Sequence, residues 1–160
     1  KGSLENLNIT WFGPITNVAH SWIEAHSKNL GFKFSIFSPD RSRDLYLSKI
    51  SDYKENLNIE SIIHNQIDDE ILSVADVIMT DTWQSMGEET DEQLNKELQD
   101  YRVTKSLMSK AKKDCLFMHC LPANRGQEVE ELVIDGSNSR IWQEASNRLH
   151  VQKQILRNLI

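Results

Sequence analysis

Short apolar runs alternate with longer segments of helical spacing along this chain, the pattern of βαβ units built around a mostly parallel sheet. Leu7, Ile9, Trp11 and Phe12 mark a first strand over 7–12, closed by Gly13-Pro14. Ala19, Trp22, Ile23 and Leu30 then recur at helical intervals over 17–30, and Gly31 ends the helix. A second unit follows, with a strand over 32–37 stopped by Ser38-Pro39 and a more polar helix over 43–56. A short third strand is predicted over 59–64, a short helix over 68–75 with acidic residues in its first turn, and a buried fourth strand over 76–80. Helices over 89–101 and 105–112, the second with Thr104 as N-cap, lead to a fifth strand over 115–121 that stops at Pro122. The remainder, 129–160, reads as helix interrupted by a turn over 135–138. Its end carries two apolar rows, Val151, Ile155 and Leu159 beside Leu156 and Ile160, which need a cover from this domain or from a surface the chain does not contain.

Composition narrows the function classes. The chain has 160 residues, 39% of them hydrophobic, which is enough for one domain with its own core. Eighteen basic against 24 acidic residues leave a net charge of -6, which argues against a partner bound through its phosphate backbone, so no nucleic acid is expected. No run approaches the roughly 18 apolar residues of a membrane span, and the polar opening residues do not form a secretory signal, so no membrane partner is expected. Cys115 and Cys120 have neither a redox nor a zinc-ribbon spacing, and on one strand they are too far apart to bridge; a reducing compartment follows.

Ligands of open α/β sheets gather beyond the carboxyl ends of the strands. Three polar segments stand there: Gly13-Pro14-Ile15-Thr16-Asn17, Asp81-Thr82-Trp83-Gln84-Ser85-Met86-Gly87 and His119-Cys120-Leu121-Pro122-Ala123-Asn124-Arg125. They could converge on one cleft. The first lacks the later glycines of a dinucleotide fingerprint, which weakens a nicotinamide-dependent reading. His119 and Cys120, adjacent on a strand, are expected to face opposite ways and not to share a metal.

Asp81 to Gly87 together with His119-Cys120-Leu121-Pro122 resembles the carboxyl-terminal, ornithine-binding domain of the ornithine carbamoyltransferases. Asn17-Val18-Ala19-His20-Ser21 and Glu144-Ala145-Ser146-Asn147-Arg148 extend the likeness to essentially the whole chain. The resemblance implies a single Rossmann-like α/β domain over 1–160, with a mostly parallel sheet flanked by helices as in aspartate and ornithine carbamoyltransferases. It also implies transfer of a carbamoyl group from carbamoyl phosphate to L-ornithine, giving citrulline and phosphate in arginine metabolism, with no cofactor and no metal. By the same likeness Asn17, Asp81, Ser85 and Met86 hold ornithine. Cys120, Leu121 and Arg148 face carbamoyl phosphate, and Asp81 and Cys120 form the catalytic pair.

The residues support that division physically. A carboxylate such as Asp81 suits an ammonium, and Asn17 suits either end of an amino acid. Asp81 can orient the attacking amine but favours its charged form, so deprotonation falls to desolvation and to an acceptor such as the departing phosphate. Cys120 need not attack, because amine and phosphate already supply nucleophile and leaving group. Arg125 reads as a solvated loop residue, and His20 and His150 as structural. The family's Ser-x-Arg-Thr-Arg phosphate cradle is absent from these residues, and the first loop replaces the family's Gly-Asp-Gly-Asn-Asn. The chain is thus expected to be the ornithine-binding half of an enzyme whose amino-terminal domain builds a homotrimer, inactive alone. A cytoplasmic location is expected, with the mitochondrial matrix as the alternative. Two other readings stand beside this one: a non-catalytic amino-acid-binding module, and an unrelated oxidoreductase.

Overall fold

In the computed structural model, which describes residues 2–50, 59, 61–84 and 91–160, five parallel strands lie in the order β3-β2-β1-β4-β5. The strands are β1 (Asn8–Phe12), β2 (Lys33–Phe37), β3 (Ile63–His64), β4 (Val77–Thr80) and β5 (Leu116–His119). The helices are α1 (Asn17–Ser27), α2 (Asp40–Lys49), α3 (Asp69–Ser73), α4 (Glu92–Glu97), α5 (Lys105–Lys110), α6 (Glu131–Ile134) and α7 (Ile141–Leu159). The predicted α/β alternation is present throughout. Among the described residues no helix is long and apolar enough to cross a membrane.

Both sheet faces are covered, as an all-parallel sheet requires. Ile9, Trp11, Phe34, Ile36, Val77 and Met79 pack on one face, and Phe12, Phe37, Ile78 and Phe117 on the other with Leu72, Val133 and Ile141. The period-2 alternation of β1 and β4 divides their side chains between these two cores.

Several boundaries differ from the periodicity. β3 forms ladder pairs only at Ile63 and His64, although Ile59 and Ile62 are buried, because the Ile62 N–H turns back to the Ile59 carbonyl at 3.1 Å before the strand begins. The helix predicted over 89–101 is α4 followed by a 3-10 turn at Leu98–Tyr101, and residues 51–58 of the predicted second helix lie outside the described residues. Thr104 does cap α5, accepting from Leu107 N at 3.0 Å. The apolar rows of α7 are uncovered, with Val151, Ile155, Leu156 and Leu159 all more than half exposed. Among the described residues nothing covers them.

Sheet order locates the functional end. β1 runs to β2 on one side while β4 lies on its other side, so the connections diverge between β1 and β4 and open a crevice at their carboxyl ends. Register sharpens this: Phe12 pairs with Thr80, and Thr80 with His119. Gly13, Asp81 and Cys120 are the next residues on three adjacent strands, which brings Asp81 and Cys120 together across 39 positions of chain.

Candidate functional site

The loop after β1 is shaped by its neighbours. Gly13 sits at φ 108, and a Cβ there would come 3.3 Å from Thr80 Oγ1 and 3.5 Å from Trp83 Nε1. Only glycine fits both the left-handed backbone and that approach. Trp11 Nε1 donates to the Pro14 carbonyl at 3.0 Å, and Ile15 N donates to Ser42 Oγ at 2.9 Å. The departure at Pro14-Ile15 is thereby accommodated, because Gly13 alone takes the positive φ and the following loop is held by ordinary hydrogen bonds. The loop delivers Thr16, whose side chain caps α1 and whose hydroxyl donates to Asp81 Oδ2 at 2.9 Å.

Asp81, 8% exposed, has its other oxygen occupied as well. Oδ1 accepts from Thr82 N at 2.8 Å and from the Cys120 thiol at 3.0 Å. Three donors from the ends of β1, β4 and β5 thus orient one carboxylate, and the three predicted loops do converge. Burial first, then the hydrogen bond and charge of Asp81, then the charge of Glu144, push the Cys120 thiol up to about 12. Such a thiol is a neutral hydrogen-bond donor, not a thiolate nucleophile. Cys115 is wholly buried and Cys120 partly exposed.

Beyond Cys120 the chain turns sharply. Leu121 adopts φ 58, a conformation that costs a residue with a side chain on the order of 1 kcal/mol. Its N–H donates to His119 Nδ1 at 2.9 Å, and His119 Nε2 lies 3.4 Å from Glu128 Oε1, both residues fully buried. Glu128 in turn accepts the N–H of Asn124. His119 and Glu128 therefore tie down both ends of the 120–124 turn. The expectation that His119 and Cys120 point apart is corrected: one donor atom each from Asp81, His119 and Cys120 lie within 4.8 Å of one another. β5 ends at His119, so strand alternation no longer governs Cys120. The Nδ1 lone pair of His119 is taken by Leu121, while Asp81 Oδ2 accepts only from Thr16 among the described residues and keeps acceptor capacity for a ligand.

A cavity of about 660 Å³ opens beside this pair, lined by Cys120, Leu121, Pro122, Trp142, Arg148 and Leu149 among others. Of the sequence-predicted residues, Asp81 and Cys120 are in direct contact, and Cys120, Leu121 and Arg148 share this cavity. Asn17 is the exposed first residue of α1, next to Thr16. Ser85 and Met86 lie outside the described residues. Arg125 pairs with Asp135 at 2.8 Å on the surface, and His20 contacts Tyr46 Oη at 2.6 Å, as their structural readings expect. A larger opening of about 830 Å³ lies beyond the ends of β2 and β3, away from these groups.

A sequence model described as the Asp/Orn binding domain of aspartate/ornithine carbamoyltransferase matches residues 5–159. The chain belongs to the aspartate/ornithine carbamoyltransferase family. An ornithine carbamoyltransferase of Ralstonia pickettii is 39% identical over 161 residues, covering 100% of this chain and 50% of that protein. One of Hydrogenovibrio crunogenus is 39% identical over 100% of this chain and 51% of its own length. The structure of ornithine carbamoyltransferase from Pyrococcus furiosus superposes with a TM-score of 0.77 at 39% identity, covering 97% of this chain and 50% of that one. The chain spans about half the length of the curated relatives it matches. The carbamoyltransferase fold is confirmed, and the five-stranded single domain agrees with the resemblance read from its loops.

Two residues of the site escaped the sequence reading. Thr16 stood in a loop with nothing to mark it as a partner of Asp81, 65 residues away. Glu144 stood in a recognised motif, but the enclosure of its Oε2 where α7 abuts β5 is a tertiary fact without a local signal.

Proposed function

We propose that this chain is the ornithine-binding half of an ornithine carbamoyltransferase, which transfers the carbamoyl group of carbamoyl phosphate to L-ornithine and releases citrulline and phosphate. The observation that carries the proposal is the Asp81 carboxylate, oriented by Thr16, Thr82 and Cys120 at the end of the sheet where the connections diverge. An anionic group at that point favours a substrate with an ammonium on its side-chain end. Aspartate, the other substrate class of the family, would bring a second carboxylate toward it, and like charges at contact distance oppose binding. The names of the most similar relatives agree with ornithine.

In this mechanism Asp81 binds and orients the amino groups of ornithine, and hydrogen bonds to charged groups contribute roughly 1.5 to 3 kcal/mol each. Cys120 remains a neutral thiol that fixes Asp81 and lines the path of the amine. Asn17, Ser85 and Met86 complete the hold on ornithine. Leu121 and Arg148 face carbamoyl phosphate across the cavity, where a guanidinium suits the phosphoryl oxygens. Alignment of the two substrates is the principal contribution of this half, since holding reactants in line supplies on the order of 7 to 11 kcal/mol. The phosphate cradle comes from an amino-terminal domain, which packs on the exposed apolar face of α7 and builds the cytoplasmic homotrimer.

The test is a calorimetric titration of the full-length protein with ornithine, with lysine and aspartate as length and charge controls, repeated with Asp81→Asn. Ornithine alone should bind, and the substitution should weaken it at least tenfold more than it weakens carbamoyl phosphate. Equal loss for both substrates, or preference for aspartate, would overturn the assignment.

A further inference from the structure

The mechanism above uses Asp81 and Cys120 and gives no task to Glu144, a half-buried acid with one enclosed oxygen. Glu144 stands in the first turn of α7, where that helix abuts β5. Its Oε2 is buried and has no hydrogen-bond partner among the described residues. The titratable groups that act on it electrostatically are Asp81 from the end of β4, and His119 and Cys120 from the end of β5. On its own helix Arg148 lies one turn ahead, in the cavity wall. Arg140 lies one turn behind, with its guanidinium donating to the carbonyls of Ser137 and Ser139 at 2.8 and 2.7 Å. A carboxyl oxygen enclosed in this way is costly to charge, and the Asp81 carboxylate adds to that cost. Burial thus raises the Glu144 carboxyl above its ordinary value; the His119 backbone N–H and ring act against the rise, and the charge of Asp81 adds to it.

We propose that Glu144 is a positioning residue that exchanges a proton for the substrate's charge: it holds a proton while the site is empty and releases it to solvent when the ammonium of ornithine enters beside Asp81. No bond to the substrate forms in this step; the O–H of Glu144 breaks, its proton passes to water, and the site gains one cation as it gains one anion. This rests on the ornithine reading given above. The arriving ammonium offsets the repulsion from Asp81 and stabilises the ionised form of Glu144, so the acid is stronger in the bound state than in the empty one. By linkage, affinity for ornithine then rises with pH between the bound and empty titration points and levels off above the latter. The ionised carboxylate, fixed by the His119 N–H, also holds the start of α7, and with it Arg148, against the end of β5.

The experiment is a titration of L-ornithine into the full-length protein saturated with inorganic phosphate. It is run between about pH 5 and about pH 7, below the range of the substrate's amines, in buffers of different ionisation enthalpy. The native protein should release a fraction approaching one proton, with affinity rising up to about tenfold per pH unit. Glu144→Gln keeps the shape and cannot ionise; it should bind ornithine with that release and that slope removed, and Glu144→Asp should restore part of both. A glutamine variant with the native release and slope would overturn the proposal and assign the proton to Asp81. Should the variants fail to fold, carboxyl-labelled glutamate followed by NMR in the native protein reads the same quantity. The Glu144 titration must move to lower pH on adding ornithine, and an unmoved titration overturns the proposal. Absence of ornithine binding at every pH would remove the ornithine reading itself.

Discussion

The reactivity of Cys120 reports on the Asp81 pair within this chain alone. A thiol pushed up to about 12 is ionised at pH 8 to about one part in ten thousand, whereas a free thiol near 8.5 is ionised to about one part in four, a ratio of roughly 2,400. The more basic thiolate is intrinsically more nucleophilic, and a Brønsted slope of about 0.4 to 0.5 over this interval offsets roughly 25-fold to 55-fold of it. Exchange with an aromatic disulfide should therefore run roughly 40-fold to 100-fold slower than for a free thiol at pH 8. It should also rise about tenfold per pH unit without a plateau below about pH 10. Cys115, wholly buried, stays silent until the protein unfolds and so serves as an internal control. Asp81→Asn removes both the carboxylate acceptor and its charge while burial and Glu144 remain, and should accelerate the reaction at least tenfold. A plateau below pH 9, or an unchanged rate in the Asp81 variant, would refute the hydrogen-bonded pair as the determinant of Cys120 chemistry.

Two further substitutions test the frame that presents the site. Asp76, whose side chain is 10% exposed, accepts from Asn8 N at 3.0 Å and from Lys112 Nζ at 2.9 Å. Burial opposes its charge, but the Asn8 backbone N–H, Lys112 and the Asn8 side chain outweigh it and hold the carboxyl at about 2. A depressed carboxylate stabilises the fold above its unfolded value near 3.9 and loses that contribution as pH falls through about 2. Asp76→Asn should cost about 2 kcal/mol in urea unfolding at neutral pH, with the difference from the native protein closing below about pH 4; a constant difference would refute it. Thr16→Val removes the cap of α1 and the Asp81 Oδ2 donor. It should lower stability by about 1 to 2 kcal/mol and raise the KM for ornithine while leaving that for carbamoyl phosphate in place, with Thr16→Ser restoring both.

The elements of this fold were legible because each depends on short-range spacing. The alternation at Ile9 and Trp11, the stop at Gly13-Pro14 and the cap at Thr104 all report local backbone geometry, and the structure contains the elements they predict. The family likeness was legible because its signatures are continuous runs at strand ends. The same local rule failed where regular structure stopped: Cys120 follows the last residue of β5, and strand alternation could not say that it turns toward Asp81 beside His119.

By itself, then, the sequence determined an α/β chain with its polar groups concentrated beyond the strand ends, since side-chain periodicity and turn chemistry act over a few residues. The tertiary structure decided the parallel register that aligns Phe12, Thr80 and His119 and so joins Thr16, Asp81 and Cys120. It also decided the enclosure of Glu144 Oε2 where α7 abuts β5. These are contacts between segments tens of residues apart, settled by how two cores close on opposite faces of one sheet, and no local pattern encodes their distances.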